Sequence, residues 1–124
     1  MCVIGEVLAD CFFRNPNEKY LIFESSHCGV PINRNQVKNA WAAVSIITQL
    51  ASALAAAELA FDYEHRDLHF GNLLVKRCED LIRYNNGYHD YYVRPVGLKV
   101  YVIDFTYSKI RLGMYLILQN CHLY

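Results

Sequence analysis

No two of the six glycines (Gly5, Gly29, Gly71, Gly87, Gly97 and Gly113) lie close enough to form G-x-G. A glycine-rich loop cradling nucleotide phosphates is therefore not found in this sequence. The five cysteines, Cys2, Cys11, Cys28, Cys78 and Cys121, contain no C-x-x-C pair. Neither a zinc ribbon nor a disulfide framework is suggested, and a reducing compartment is the default. Lysine and arginine nowhere cluster, and the 12 basic residues are balanced by 12 acidic ones. Direct nucleic-acid binding, which needs clustered cations to neutralise phosphates, is not expected. The N-terminal MCVIGEVLADCFF has acids at Glu6 and Asp10 and no basic n-region, so it does not read as a secretory signal. Repeats, linkers and low-complexity segments are absent as well.

What is present suits one modest packed domain: 124 residues, 54% of them hydrophobic. Residues 11–14 and 19–24 form two apolar runs around Asn15-Pro16-Asn17 and predict a hairpin. Asn33 and Gln36 have the spacing of a capping box and predict the start of a helix that runs to about Phe61. Val37, Trp41, Val44, Ile47, Ala51, Leu54 and Glu58 fall at helical spacing with small or apolar neighbours. They predict a helix buried on most sides, with Trp41 in the core. Residues 40–61 are also the nearest approach to a membrane span. Ser45, Thr48, Gln49, Ser52, Glu58 and the reliance on alanine favour a soluble helix, so no membrane partner is expected. Residues 73–76 and 100–103 read as buried strands. Between them, the turn signal Asn85-Asn86-Gly87 marks an inserted hairpin, whose Tyr84, Tyr88, Tyr91 and Tyr92 are expected to pack across the strands rather than form a recognition surface.

The stretch EHRDLHFGN, residues 64–72, concentrates the chemistry. His65, Asp67 and His69 alternate, which on an extended segment allows zinc binding, but His27, His89 and His122 have no spacing to complete a site. A charged turn without chemistry is the plainest reading, and it leaves Asn72 and Asp104 unexplained. Phosphoryl transfer accounts for both. It requires hard oxygen ligands for Mg²⁺ and a carboxylate that orients the attacking hydroxyl and takes its proton. Asp67 supplies the base, Asn72 a metal ligand in the same loop, and Asp104 a charged metal ligand at the end of the second strand. His65-Arg66-Asp67-Leu68 followed by Asn72 matches the protein-kinase signature H-R-D-L-x-x-x-N.

EHRDLHFGNLLVK followed by VIDFTYSKI resembles the haspin-type atypical Ser/Thr protein kinases, whose catalytic loop reads E-H-R-D-L-H-W-G-N and whose metal-binding triplet is D-Y-T. Phe70 replaces the Trp and Phe105 the Tyr. The resemblance extends through the alanine-rich helix and YLIFESSHCG, covering most of residues 19–112. It implies an α+β, partial protein-kinase-like fold in one partial domain. Residues 1–24 would be a remnant of small-lobe strands, 25–31 hinge-like, 32–112 the large-lobe core with a long buried helix, and 113–124 an unassigned tail.

By the same resemblance, Asp67 is the catalytic base, His65 braces the loop, and His69 stands where kinases usually place a phosphate-facing lysine. Asn72 and Asp104 would hold Mg²⁺, and backbone groups of Ser26, His27 and Cys28 would meet the adenine of ATP. The implied activity is transfer of the ATP γ-phosphate to a protein hydroxyl, a threonine of a core histone tail, in the nucleus or cytoplasm and associated with chromosomes. No lysine in a V-A-I-K context accompanies these residues. Lys19, the only lysine before the hinge-like stretch, lies beside a turn. The expectation is a piece of a kinase domain with impaired or no independent activity. Two alternatives stand beside it: a non-catalytic pseudokinase remnant that binds a partner, and a small-molecule kinase of the aminoglycoside or choline type, whose H-G-D-L-H-x-G-N and I-D-F motifs are similar. Arg66, Thr106 and Ser108 tip the balance toward the haspin type. Oligomeric state is not legible.

Overall fold

The computed structural model describes residues 4–7, 22–113 and 115–118. It is a mixed helix and sheet structure built around one long helix and a small antiparallel sheet. Strand β1 (Ile4–Val7) pairs antiparallel with β2 (Ile22–Ser25), Ile4 opposite Ser25. The hairpin expected around Asn15-Pro16-Asn17 lies largely outside the described residues.

Strands β3 (Val30–Pro31), β4 (Leu73–Cys78) and β7 (Gly97–Val102) form a three-stranded sheet in the order β3-β4-β7. The two apolar runs read as strands are thus adjacent, with Leu73 opposite Val102 and Cys78 opposite Gly97. Leu73 and Val75 point into the core and are almost fully buried. The expected insertion between them is a hairpin of β5 (Ile82–Asn85) and β6 (Asp90–Val93). Its turn is closed by Asn86 N–H on the His89 carbonyl, and Gly87 supplies the positive φ of 89°. Ile82 and Val93, at the base, join the core. A last hairpin of β8 (Lys109–Leu112) and β9 (Tyr115–Leu118) extends past residue 113.

Helix α1 (Ala40–Phe61) ends where expected, with Asp62 in the left-handed conformation donating its N–H to the Glu58 carbonyl. Its start differs. One of the two capping-box bonds forms, Asn33 N–H to Gln36 Oε1 at 2.7 Å, but Asn33 Oδ1 takes the Asn35 N–H instead of that of Gln36, and the segment closes an isolated turn. The helix opens later, where Asn39 Oδ1 accepts the Ala42 N–H at 2.9 Å.

The expectation of a helix buried on most sides is also corrected. Ala42, Ser45, Ile46, Gln49 and Ser52 face the strands, whereas Trp41, Val44, Ile47, Leu59 and Phe61 are exposed. The buried stripe is thus offset by one residue from the apolar one, and the reason lies in the sheet edge. Among the described residues β7 pairs with β4 on one side only, which leaves backbone groups on its outer edge for other partners. Gln49 Oε1 accepts the Val100 N–H at 2.9 Å, and its Nε2 donates to the Leu98 carbonyl at 2.8 Å. The carboxamide acts as a substitute peptide on the edge of β7, and Ser45 Oγ caps the Arg94 carbonyl at 2.6 Å. Small side chains on this face let the helix approach closely enough for those bonds. By length and composition the helix could cross a membrane, but this bonded polar face supports a helix packed on protein.

Candidate active site

The segment leaving α1 is fixed to β8 before it reaches the motif. Glu64 and Lys109 exchange both backbone hydrogen bonds, at 2.9 and 2.8 Å. The Lys109 ammonium also pairs with the Glu64 carboxylate and lies 3.6 Å from Asp62 Oδ2, which Arg111 Nε meets at 3.1 Å. Glu64 as hydrogen-bond partner, with Asp62 nearby, pushes the Lys109 pKa up. These ion pairs are at the surface, where such pairs contribute about 0–1 kcal/mol each. The backbone bridge is the firmer tether.

His65 is buried and spends both ring nitrogens inside the site. Nε2 lies 3.0 Å from the Ile103 carbonyl, and Nδ1 takes the Asp67 N–H at 3.4 Å. A carbonyl cannot donate, so the proton sits on Nε2. The ring therefore joins the loop to the residue before Asp104. Ile103 N–H closes the same connection by donating to the Asn72 carbonyl at 3.0 Å. Buried Ser108 donates to the His65 carbonyl and meets the Tyr63 hydroxyl at 3.3 Å. Phe105 stands 5.9 Å from the His65 ring and 6.4 Å from that of Tyr63. Tyr63 and Ser108 are supporting residues that sequence spacing does not reveal, since they are brought together only by folding.

Asn72 is buried; its Nδ2 donates to the Asp67 carbonyl at 3.0 Å and lies 3.3 Å from His69 Nε2. His69 folds back so that Nδ1 accepts the Gly71 N–H at 3.0 Å, while Nε2 lies 3.8 Å from Asp67 Oδ2. A Cβ at Gly71 would stand 2.8 Å from the His69 ring, so this arrangement needs glycine there. In this geometry Nδ1 carries no proton. His69 Nε2 thus faces the Asp67 carboxylate from 3.8 Å, beyond hydrogen-bond length. The Asp67 carboxylate stays partly open to solvent, as an acceptor of a substrate proton must be.

Asp104, at the end of β7, is exposed and has φ of 60°. The Thr106 hydroxyl and N–H bond to its carboxylate and hold its pKa below the usual range. The structure thus gathers His65, Asp67, His69, Asn72 and Asp104 into one cluster. The donor chemistry fits Mg²⁺: a carboxylate and an amide oxygen are hard ligands, and magnesium typically takes one or two protein oxygens plus phosphates and water. Among the described residues, Asn72 Oδ1 and Asp104 Oδ2 accept no hydrogen bond. Among the described residues, no three His, Cys, Asp or Glu side chains come together as a metal-binding group, and His65 is consumed by internal bonds. Zinc is not supported.

Ser26, His27 and Cys28 lie elsewhere, alongside the far part of β4. Val30 pairs with Val75 and Pro31 with Leu74, so the stretch runs past Lys76. That is about 13 Å along the strand from Asn72, at about 3.3 Å per residue. Ser26 and His27 are exposed and Cys28 is buried. Lys76 Nζ donates to the His27 carbonyl at 3.4 Å. Gly29 permits the close approach to β4: its φ is 105°, and a Cβ would fall 2.0 Å from the Val75 carbonyl oxygen.

The sequence model of the family described as "Haspin like kinase domain" matches residues 3–123. The chain belongs to the haspin-like kinase family. It is 35% identical over 95 residues to the serine/threonine-protein kinase haspin homolog of Arabidopsis thaliana, covering 76% of this chain and 16% of that protein. It is 34% identical over 101 residues to Mus musculus serine/threonine-protein kinase haspin and 31% over 102 residues to that of Bos taurus. These alignments cover 79% and 80% of this chain, and 13% of each relative. The chain thus spans a small part of the length of the haspin relatives it matches. A kinase-like fold, which membership implies, agrees with the mixed helix and sheet observed.

Proposed function

We propose that this haspin-like chain carries the base and metal half of a protein Ser/Thr kinase site, binding ATP with Mg²⁺. Asp67 orients the acceptor hydroxyl and takes its proton. His65 holds the loop on β7, and His69 faces the Asp67 carboxylate. Asn72 and Asp104 hold the metal, which when bound neutralises charge on the phosphates. Backbone groups around Ser26, His27 and Cys28 face the adenine. The observation that carries this reading is the tie of Asp67, Asn72 and Asp104 through Asn72 Nδ2 and the Ile103 N–H.

The acceptor we propose is a protein hydroxyl, a core histone tail threonine, which places the protein with chromosomes in the nucleus. Turnover by this chain is impaired. The glycine-rich cover and the phosphate lysine are not found in its sequence, and electrostatic preorganisation is usually the largest catalytic contribution. In fold terms, residues 1–24 belong to the small lobe, 25–31 to the hinge and 32–112 to the large-lobe core. The test is a titration of the purified chain with ATP, with and without Mg²⁺, read by thermal shift. Binding that requires magnesium supports the site. A folded sample that binds no ATP overturns it and leaves a non-catalytic remnant.

A further inference from the structure

Asp104 occupies the left-handed region, where a residue other than glycine needs a local compensation. Thr106 supplies it twice: its N–H donates to Asp104 Oδ1 at 3.3 Å and its hydroxyl to the same oxygen at 2.5 Å. The residue between them is anchored, since Phe105 packs on Tyr63 and His65 and its carbonyl accepts the Ser108 N–H at 3.0 Å. The carboxylate is therefore pinned by one oxygen above a fixed turn. Its other oxygen, Oδ2, takes no hydrogen bond among the described residues.

We infer that Thr106 is a positioning residue whose hydroxyl locks the Asp104 carboxylate with Oδ2 turned out as the metal ligand. The inference rests on the reading of Asp104 as a magnesium ligand. A glycine at this position, as in the D-F-G triplet of most protein kinases, leaves the N–H contact but no hydroxyl, so the carboxylate retains rotational freedom that must be lost on metal binding.

The test is the Mg²⁺ concentration giving half-maximal ATP binding, measured by calorimetry for the wild-type chain, Thr106→Val, Thr106→Ser and Asp104→Ala. Thr106→Val keeps the shape and the N–H but removes the hydroxyl. It is expected to raise the Mg²⁺ midpoint about fivefold, the equivalent of one net hydrogen bond, and to leave Mg²⁺-free binding unmoved. Thr106→Ser restores the midpoint to within about twofold, which a purely structural loss would not do. A Thr106→Val midpoint equal to that of wild type, or a Thr106→Ser midpoint as high as that of Thr106→Val, overturns the inference. A wild-type chain without magnesium-dependent binding, or Asp104→Ala with its magnesium requirement intact, overturns the metal assignment and the inference with it.

Discussion

The loop of residues 62–72 and the inserted hairpin, residues 82–93, both mix charged residues, histidine, asparagine and aromatics, yet they are held in opposite ways. The loop is bonded to distant chain: His65 to Ile103, Ser108 to His65, Glu64 to Lys109. The hairpin is bonded mainly to itself. Arg83 and Asn85 meet Asp90, Gly87 meets Asn85, and Tyr84 stacks on its cross-strand partner Tyr91 at 5.9 Å. The loop therefore depends on the rest of the fold for its shape, and a change there propagates to β7 and Asp104. A change in the hairpin beyond its core residues Ile82 and Val93 stays where it is made.

The sharpest break in that contrast comes at Asp104. Asp104→Ala is expected to lower magnesium-dependent ATP affinity more than tenfold, since the proposed charged metal ligand is lost. Thermal stability should stay near that of wild type, because the side chain is exposed and bonds only Thr106. Calorimetry and a melting curve on one preparation check both parts. His65→Ala comes next. It leaves the Ile103 carbonyl without its partner and opens a hole beside Phe105, so about 2–4 kcal/mol of stability is expected to go, read by urea denaturation. Gln49→Leu tests the same dependence from the helix side. It exposes the edge groups of β7 at Leu98 and Val100, and about 1–3 kcal/mol should be lost by the same measurement.

How much of this was legible in the sequence follows the same division. The motif residues share one loop or one strand end, so their spacing alone places Asp67, Asn72 and Asp104. The hairpin turn at Asn85-Asn86-Gly87 and the helix end at Phe61 are also local, and both are found as expected. The buried face of α1 is not local. Ser45 and Gln49 are buried because strand groups some fifty positions away accept and donate to them, and no window around the helix contains that information. The capping bond between Asn33 and Gln36 shows the converse: a local signal can be satisfied by one turn without a helix following it.

The smallest effects belong to the hairpin. Arg83→Ala should leave the urea midpoint of global unfolding close to that of wild type, because the Arg83–Asp90 pair is open to solvent. Hydrogen bonds from Arg83 and Asn85 hold the Asp90 pKa below its usual value. The folded pKa being the lower one, the pairing is present above the unfolded-state value and lost as pH falls through the folded one. Amide shifts at residues 83–91 should move on acidification in that window. A cooperative loss of the whole fold in step with Asp90 would erase the distinction between the two regions.

The outward face of α1 gives the molecule a built-in optical gauge. Trp41 is its one tryptophan, stands 75% exposed, and lies on that face rather than in the cluster of Asp67, Asn72 and Asp104. Indole emission follows the polarity around the ring. The chain by itself should therefore fluoresce like a hydrated indole, and any surface that comes to cover the helix will shift that emission to the blue. Occupancy of the helix face can thus be followed in an unlabelled sample while ATP and magnesium are titrated into the cluster.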